Sequence, residues 1–280
     1  MKLAHTLLFL VRENHRDEDM AMMEMCLHSL EKSAYPSLIL YNQGCLSNEE
    51  AKQYLSRFTL DVHLLGEAVN AGTTIGRQKC FEYIWSDMPD VQFISEIHPD
   101  MIFPPNWEEP LIAYLETHDE PMVSCGIIDK QGKLPFIEKS FPLPGTLPEY
   151  SEFLYGLREN TIVHGFSVPC IHVSSIVKET GGYNPAFLRG KQCFEDDSML
   201  LGYYYYYGTR RQWRPMVNFN SVVYHAVAGQ RMDLSGNVSI NFNGLIRQYG
   251  AMGLKHLSEL HRSAWQRNYF KRQYDAMIKQ

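Results

Sequence analysis

A chain of 280 residues can form one large α/β domain or two small ones, with ample residues for a core. Its 45% hydrophobic and 21% charged content is ordinary for a soluble globular protein, and a net charge of −6 excludes a general affinity for nucleic acid. The six cysteines, Cys26, Cys45, Cys80, Cys125, Cys170 and Cys193, contain no Cys-x-x-Cys pair, which argues against a zinc knuckle or disulfide framework and for a reducing, cytoplasmic setting.

The first apolar run, residues 3–11, meets Arg12-Glu13-Asn14-His15 without a small-residue cleavage site, so we expect a strand rather than a signal peptide. No apolar run nears the roughly 20 residues needed to cross a bilayer. Strand-like segments at 5–11, 37–41, 61–65, 91–95 and 122–125 alternate with helix-like ones, the pattern of a mostly parallel sheet with crossover helices. In the helix over 17–32, Met20, Met23, Cys26, Leu27 and Leu30 fall on one face, where the methionines serve as core filler. The helix over 73–85 does the same with Ile75, Phe81, Ile84 and Trp85.

Residues 91–95 lead into Glu96-Ile97-His98-Pro99-Asp100 and then Pro104-Pro105-Asn106-Trp107, a strand delivering polar groups to a loop before a helix. The stretch 126–160, with Pro135, Pro142, Pro144 and Pro148, is a long connection of the kind that often forms a lid. A strand over 161–168 and a short helix over 174–180 follow. A glycine-rich turn, Thr180-Gly181-Gly182-Tyr183-Asn184-Pro185, precedes Phe194-Glu195-Asp196-Asp197 and an apolar helical run. Those acids have a plain structural use: Asp196 or Asp197 would cap the helix. The five tyrosines 203–207 point all round that helix, so part of the run must pack and part must face an interface or ligand.

The run Ser221-Val222-Val223-Tyr224 ends in His225. Ligands in open α/β sheets bind beyond the carboxyl ends of strands, which places the polar clusters in one cleft. Beyond His225 we expect helices over 240–249, 254–262 and 265–277. Residues 226–280 carry eight Lys/Arg against three Asp/Glu, a basic end on an acidic chain.

In order and spacing, residues 5–225 resemble the family 2 glycosyltransferases with the GT-A fold. Val11-Arg12-Glu13-Asn14 stands for that family's Pro-x-x-Asn-like element, and Asn42-Gln43-Gly44-Cys45 for its Asp-x-Gly-Ser turn. Asn70-Ala71-Gly72 and Gly76-Arg77-Gln78 match its Asn-x-Gly and Ala-Arg-Asn elements. His98-Pro99-Asp100 with Pro104-Pro105-Asn106-Trp107 matches the metal-binding Asp-x-Asp and the Pro-Pro-x-Trp after it. Gly181-Gly182-Tyr183-Asn184, Glu195-Asp196 and Val223-Tyr224-His225 complete the series.

The resemblance implies a GT-A (Rossmann-like) domain over 1–228, a mostly parallel central sheet flanked by helices, with a basic helical extension over 229–280. It implies an inverting transfer of a sugar from a nucleotide-diphosphate donor to a hydroxyl on a glycan, cell-surface polysaccharide or glycoconjugate. Asp196 would be the general base, with Glu195 holding the acceptor hydroxyl or the loop and Asp197 capping the helix. Asp100 would hold a divalent metal, Mn²⁺ or Mg²⁺, at the diphosphate, completed by His225. His98 replaces the usual first acid with a neutral imidazole, which suits Mn²⁺ better than Mg²⁺. Asn14, Asn42, Asn70, Arg77, His98 and Asp100 would contact the donor, and Asn42 in place of an acid changes how the base is read. His164 would stand near the acceptor. The alternative is a member of the fold that binds a sugar nucleotide or glycan without turnover. The basic C-terminus would either touch an anionic membrane or pair subunits in a homodimer, with packing the simpler use.

Overall fold

The computed structural model describes residues 2–227 and 235–279. Its strands are β1 (Leu3–Leu10), β2 (Ser37–Gly44), β3 (Asp61–Leu65), β4 (Phe93–Ile97), β5 (Met101–Ile102), β6 (Met122–Ile128), β7 (Lys133–Leu134), β8 (Lys139–Ser140), β9 (Ile162–His164), β10 (Cys170–Val173) and β11 (Met216–His225). The helices are α1 (Arg16–Leu30), α2 (Asn48–Leu55), α3 (Thr73–Asp87), α4 (Glu109–Thr117), α5 (Leu147–Gly156), α6 (Ser174–Thr180), α7 (Glu195–Tyr207), α8 (Ser235–Leu260) and α9 (Ala264–Met277).

The main sheet runs β3-β2-β1-β4-β10-β6-β11-β5, with β9 added on β11. β1 pairs in parallel with β2 and β4, β2 with β3, and β6 with β11. β10 is inserted antiparallel between β4 and β6. The inner strands are apolar almost throughout because helices cover both faces; β1 reads Leu-Ala-His-Thr-Leu-Leu-Phe-Leu and is buried along most of its length.

Alternate residues of each strand serve opposite faces. Leu3 and Leu7 join Met23 and Leu27 of α1, Leu55 of α2 and Leu111 of α4 on one side. Ala4 on the other side meets Phe81 of α3, Leu200 of α7, Leu257 of α8 and Phe270 of α9. A third apolar group, around Leu154, Phe219 and Val222, seats α5 against β11.

The C-terminal helices therefore contribute to the same core as α3 and α7. The expected division between 228 and 229 lies outside the described residues. The basic side chains Arg247, Lys255, Arg262, Arg267, Lys271 and Arg272 are exposed, as expected of basic faces.

Several segments differ from expectation. The connection 126–160 is not a loop throughout: it carries the β7–β8 hairpin and α5, whose Thr146 cap and Glu149 form a capping box. The expected strand over 161–168 stops at His164. The two helices expected over 240–249 and 254–262 are present as two helices joined at a kink within α8: Gly250, at φ 66° and ψ −173°, breaks the helical backbone between them.

Candidate active site

The β4–β5 turn carries His98 and Asp100, and the pairing of β5 with β11 brings them to His225. Met101 lies opposite His225 in that ladder, and Ala226 N donates to the Asp100 carbonyl at 3.0 Å. One ligand atom from each of His98, Asp100 and His225 lies within 4.8 Å of the others. His225 Nδ1 is 3.0 Å from the Val168 carbonyl, which fixes the ring and turns Nε2 toward Asp100 Oδ1 at 3.4 Å. The His98 and His225 rings meet edge to face at 5.3 Å. Burial, then the charges of Arg77 and His225, push His98 down to about 3, so its imidazole is neutral and able to bind a cation.

A second set with metal-ligand chemistry, Glu96, Cys170 and His172, lies deeper in the sheet. It is already satisfied by protein. Glu96 accepts from Tyr183 Oη at 2.9 and 3.0 Å, pairs with Arg77 Nε at 3.2 Å and contacts His172 Nε2 at 3.0 Å. His172 Nδ1 in turn meets Tyr203 Oη at 2.7 Å. Burial would raise the Glu96 carboxyl, but the His172 hydrogen bond and the Arg77 charge outweigh it and hold it below the usual carboxylate range. Burial drives the Cys170 thiol well above its ordinary value, so no thiolate is offered. This cluster is a polar core that no sequence motif announced; Glu96 stood in the strand-end run without a role.

Arg77, expected to contact the donor, is held in that core. It is 1% exposed, and its guanidinium donates to the Thr6 carbonyl and Oγ1 at 2.6 and 2.9 Å and to the Ile97 carbonyl at 2.6 Å. Asn42 is held by protein as well. Its Nδ2 donates to the Leu46 carbonyl and Asn48 Oδ1, and its Oδ1 accepts from Gly44 N, so the amide holds the β2 turn. Asn70 Oδ1 accepts from Gly72 N in the turn before α3. Asn14 is exposed on the short helical turn Glu13–His15. His164 Nε2 is held by the Leu260 carbonyl at 2.8 Å.

The acid triplet opens α7, with Phe194 in the N-cap position. Its members point three ways, as successive residues about 100° apart on a helix must. Asp197 does not cap the helix: its Oδ1 lies 2.6 Å from Nε2 of His261, a residue just beyond α8. Glu195 is buried, and its Oε2 has no hydrogen-bond partner among the described residues. Burial raises its carboxyl to about 7. Asp196 is part-exposed, and burial together with Glu195, Glu96 and Asp197 raises its carboxyl well above the ordinary value, with Arg77 opposing.

In the tyrosine run, Tyr203 and Tyr207 are buried while Tyr205 is 42% exposed, so the run divides between core and surface. A hollow of about 690 Å³ lies where α3 faces the ends of β2 and β3, lined by Tyr41, Leu65, Glu67, Lys79 and Tyr83. It adjoins the Asn70–Gly72 turn through Ala71 but contains none of the triplet or the His98–Asp100–His225 set.

No protein-family pattern matches the sequence, and no curated protein matches it. Solved structures do share the fold. The 1–349 fragment of TarS from S. aureus superposes with a TM-score of 0.58 at 11% identity, covering 91% of this chain and 66% of that fragment. The fragment in complex with UDP-GlcNAc gives 0.57 at 12% identity, over 93% and 71%. A longer S. aureus TarS structure gives 0.53 at 13% identity, over 93% of this chain and only 43% of that one. The architecture is the GT-A glycosyltransferase fold.

Proposed function

We propose that this protein is an inverting glycosyltransferase that moves a sugar from a nucleotide-diphosphate donor to a hydroxyl acceptor. The observation that carries this is the assembly of His98, Asp100 and His225 at the carboxyl ends of the strands of a GT-A sheet, where such folds bind ligands. The neighbour crystallised with UDP and UDP-GlcNAc makes a uridine donor the first choice.

One carboxylate and two imidazoles form a donor set that suits Mn²⁺ better than Mg²⁺. A divalent cation held there would offset the charge developing on the departing diphosphate. Asp100 supplies the negative charge of the set, and the bond from His225 Nδ1 to Val168 keeps Nε2 aimed inward. Asp196 takes the proton of the acceptor hydroxyl: Asp197 is tied to His261 and Glu195 is turned inside, so Asp196 is the triplet member free to face a substrate. Glu195, with an unpartnered Oε2, accepts a hydrogen bond from the acceptor or the closing loop.

The catalytic unit draws on the sheet domain together with α8 and α9, which share its core. The six free cysteines fit a cytoplasmic setting, and none of the described helices is long and apolar enough to cross a membrane. The exposed basic face of α9 with Trp265, 70% exposed, favours contact with an anionic membrane where polysaccharide or glycoconjugate acceptors would lie, and a homodimer is the competing use. Titration of UDP, GDP and TDP with and without Mn²⁺ tests the donor site. Tight, Mn²⁺-dependent UDP binding that is lost in Asp100→Ala is expected; absence of binding by all three nucleotides contradicts the proposal.

A further inference from the structure

α7 is entered through two consecutive residues with left-handed backbone, Cys193 at φ 91° and Phe194 at φ 64°. For residues with a Cβ such conformations are strained and persist where the surroundings impose them. Here α8 imposes them. Asn241 is wholly buried; its Oδ1 accepts from Gly190 N at 2.6 Å, and its Nδ2 donates to the carbonyls of Cys193 at 2.8 Å, Gln192 at 3.3 Å and Gly190 at 3.4 Å. One turn earlier, Asn237 Oδ1 accepts from Lys191 N at 2.7 Å. The Phe194 ring packs on Phe242 of α8 and Phe270 of α9, with centroids 5.4 and 6.3 Å away.

The sequence permits this approach through two glycines. A Cβ on Gly190 would lie 2.9 Å from Asn241 Oδ1, and one on Gly244 would lie 2.0 Å from the Phe187 carbonyl. The clamped segment also reaches the donor side, because Lys191 O accepts from Thr73 N at the start of α3 at 2.8 Å. These bonds hold the backbone that leads into the acid triplet, and the His261–Asp197 contact holds one side chain of the triplet itself.

We propose that α8 is a positioning element of the catalytic centre: through the backbone of residues 190–193, Asn241 fixes the left-handed entry to α7 and so the direction in which Asp196 presents its carboxylate. The proposal rests on Asp196 being the base. Asn241 touches no substrate and acts through Asp196, so its loss acts on turnover and spares donor binding. A merely structural tie would instead weaken stability, binding and turnover together.

Asn241→Asp tests this in the full chain, since it keeps the size and the acceptor for Gly190 N but sets an oxygen against three carbonyls. UDP-GlcNAc hydrolysis with Mn²⁺, UDP affinity by titration and the thermal midpoint are measured side by side. The expected result is a kcat lower by about 100-fold with the UDP Kd within about threefold of wild type. Adding Asn241→Asp to Asp196→Asn should produce no further loss, because both act on one group. Phe242→Leu, a milder change that loosens the Phe194 ring, should lower kcat alone by about tenfold and serves if Asn241→Asp does not fold. A full-rate Asn241→Asp or Phe242→Leu beside an inactive Asp196→Asn overturns the positioning role alone. A second full loss on top of Asp196→Asn overturns it too. A full-rate Asp196→Asn overturns the base assignment and this proposal with it.

Discussion

Asp196 stands among three acids, and that company sets its acid–base behaviour. Burial and the charges of Glu195, Glu96 and Asp197 raise its carboxyl, and burial brings Glu195 to about 7. A general base works ionised, so activity should disappear as pH falls through the raised range, with the acid limb of kcat/KM displaced above the ordinary carboxylate value of about 4; a limb at that ordinary value would contradict it. Stability has the opposite sign. Both carboxyls bind protons more tightly in the folded chain than in the unfolded one, so folding stability falls as pH rises, over 4.5 to about 7 for Glu195. Glu195→Gln should therefore raise the thermal midpoint at pH 8 and leave it nearly unchanged at pH 4. At this scale the sequence carried His98, Asp100 and His225, because residues at strand ends in the right order converge by topology alone. The protein-internal bonds of Asn42 and Arg77 were not legible there, because residue type does not reveal which backbone groups a side chain will satisfy. Asn241 and His261 were invisible, since their partners lie about 50 and 64 residues away.

Arg77 shows what the elements require of one another. Its side chain leaves α3 and bonds β1 at Thr6 and β4 at Ile97 while neutralising Glu96, so one guanidinium fastens a helix across two strands. Removing one partner of a buried ion pair leaves the other charged and unpaired, at a cost of about 3–5 kcal/mol. Arg77→Met should show that loss in urea unfolding, and a loss below about 1 kcal/mol would mean that the network is dispensable. The elements themselves were readable where local signals agree. The strand Asp61–Leu65 and the helix Ser174–Thr180 appear with the expected bounds, the latter closed by left-handed Gly181. The α5 segment was concealed by flanking prolines, although Pro148 stands within the first helical turn, where proline is tolerated. The expected break between two C-terminal helices is the non-helical kink at Gly250, a local signal legible in the sequence.

At the scale of the whole molecule, α8 and α9 are inseparable from the rest. Leu245, Leu254, Leu257, Leu260 and Phe270 are buried in the core that holds α3 and α7. Deleting residues 229–280 should therefore give insoluble protein rather than a trimmed enzyme, and a soluble, cooperatively melting truncation would contradict this packing. Membrane contact has to be tested with surface changes instead. Trp265→Ser with Arg267→Ser should weaken sedimentation with phosphatidylserine vesicles while leaving the thermal midpoint within about 2 °C, because exposed positions contribute little to stability. Unchanged sedimentation would favour subunit pairing through the same face. The chemistry itself is tested most directly by one comparison: UDP release from UDP-GlcNAc with Mn²⁺, by the wild type and by Asp196→Asn at equal UDP occupancy. General-base removal should slow release by about 10²–10⁴-fold with UDP affinity preserved. Equal rates in the two proteins would contradict the assignment of Asp196 and the mechanism built on it.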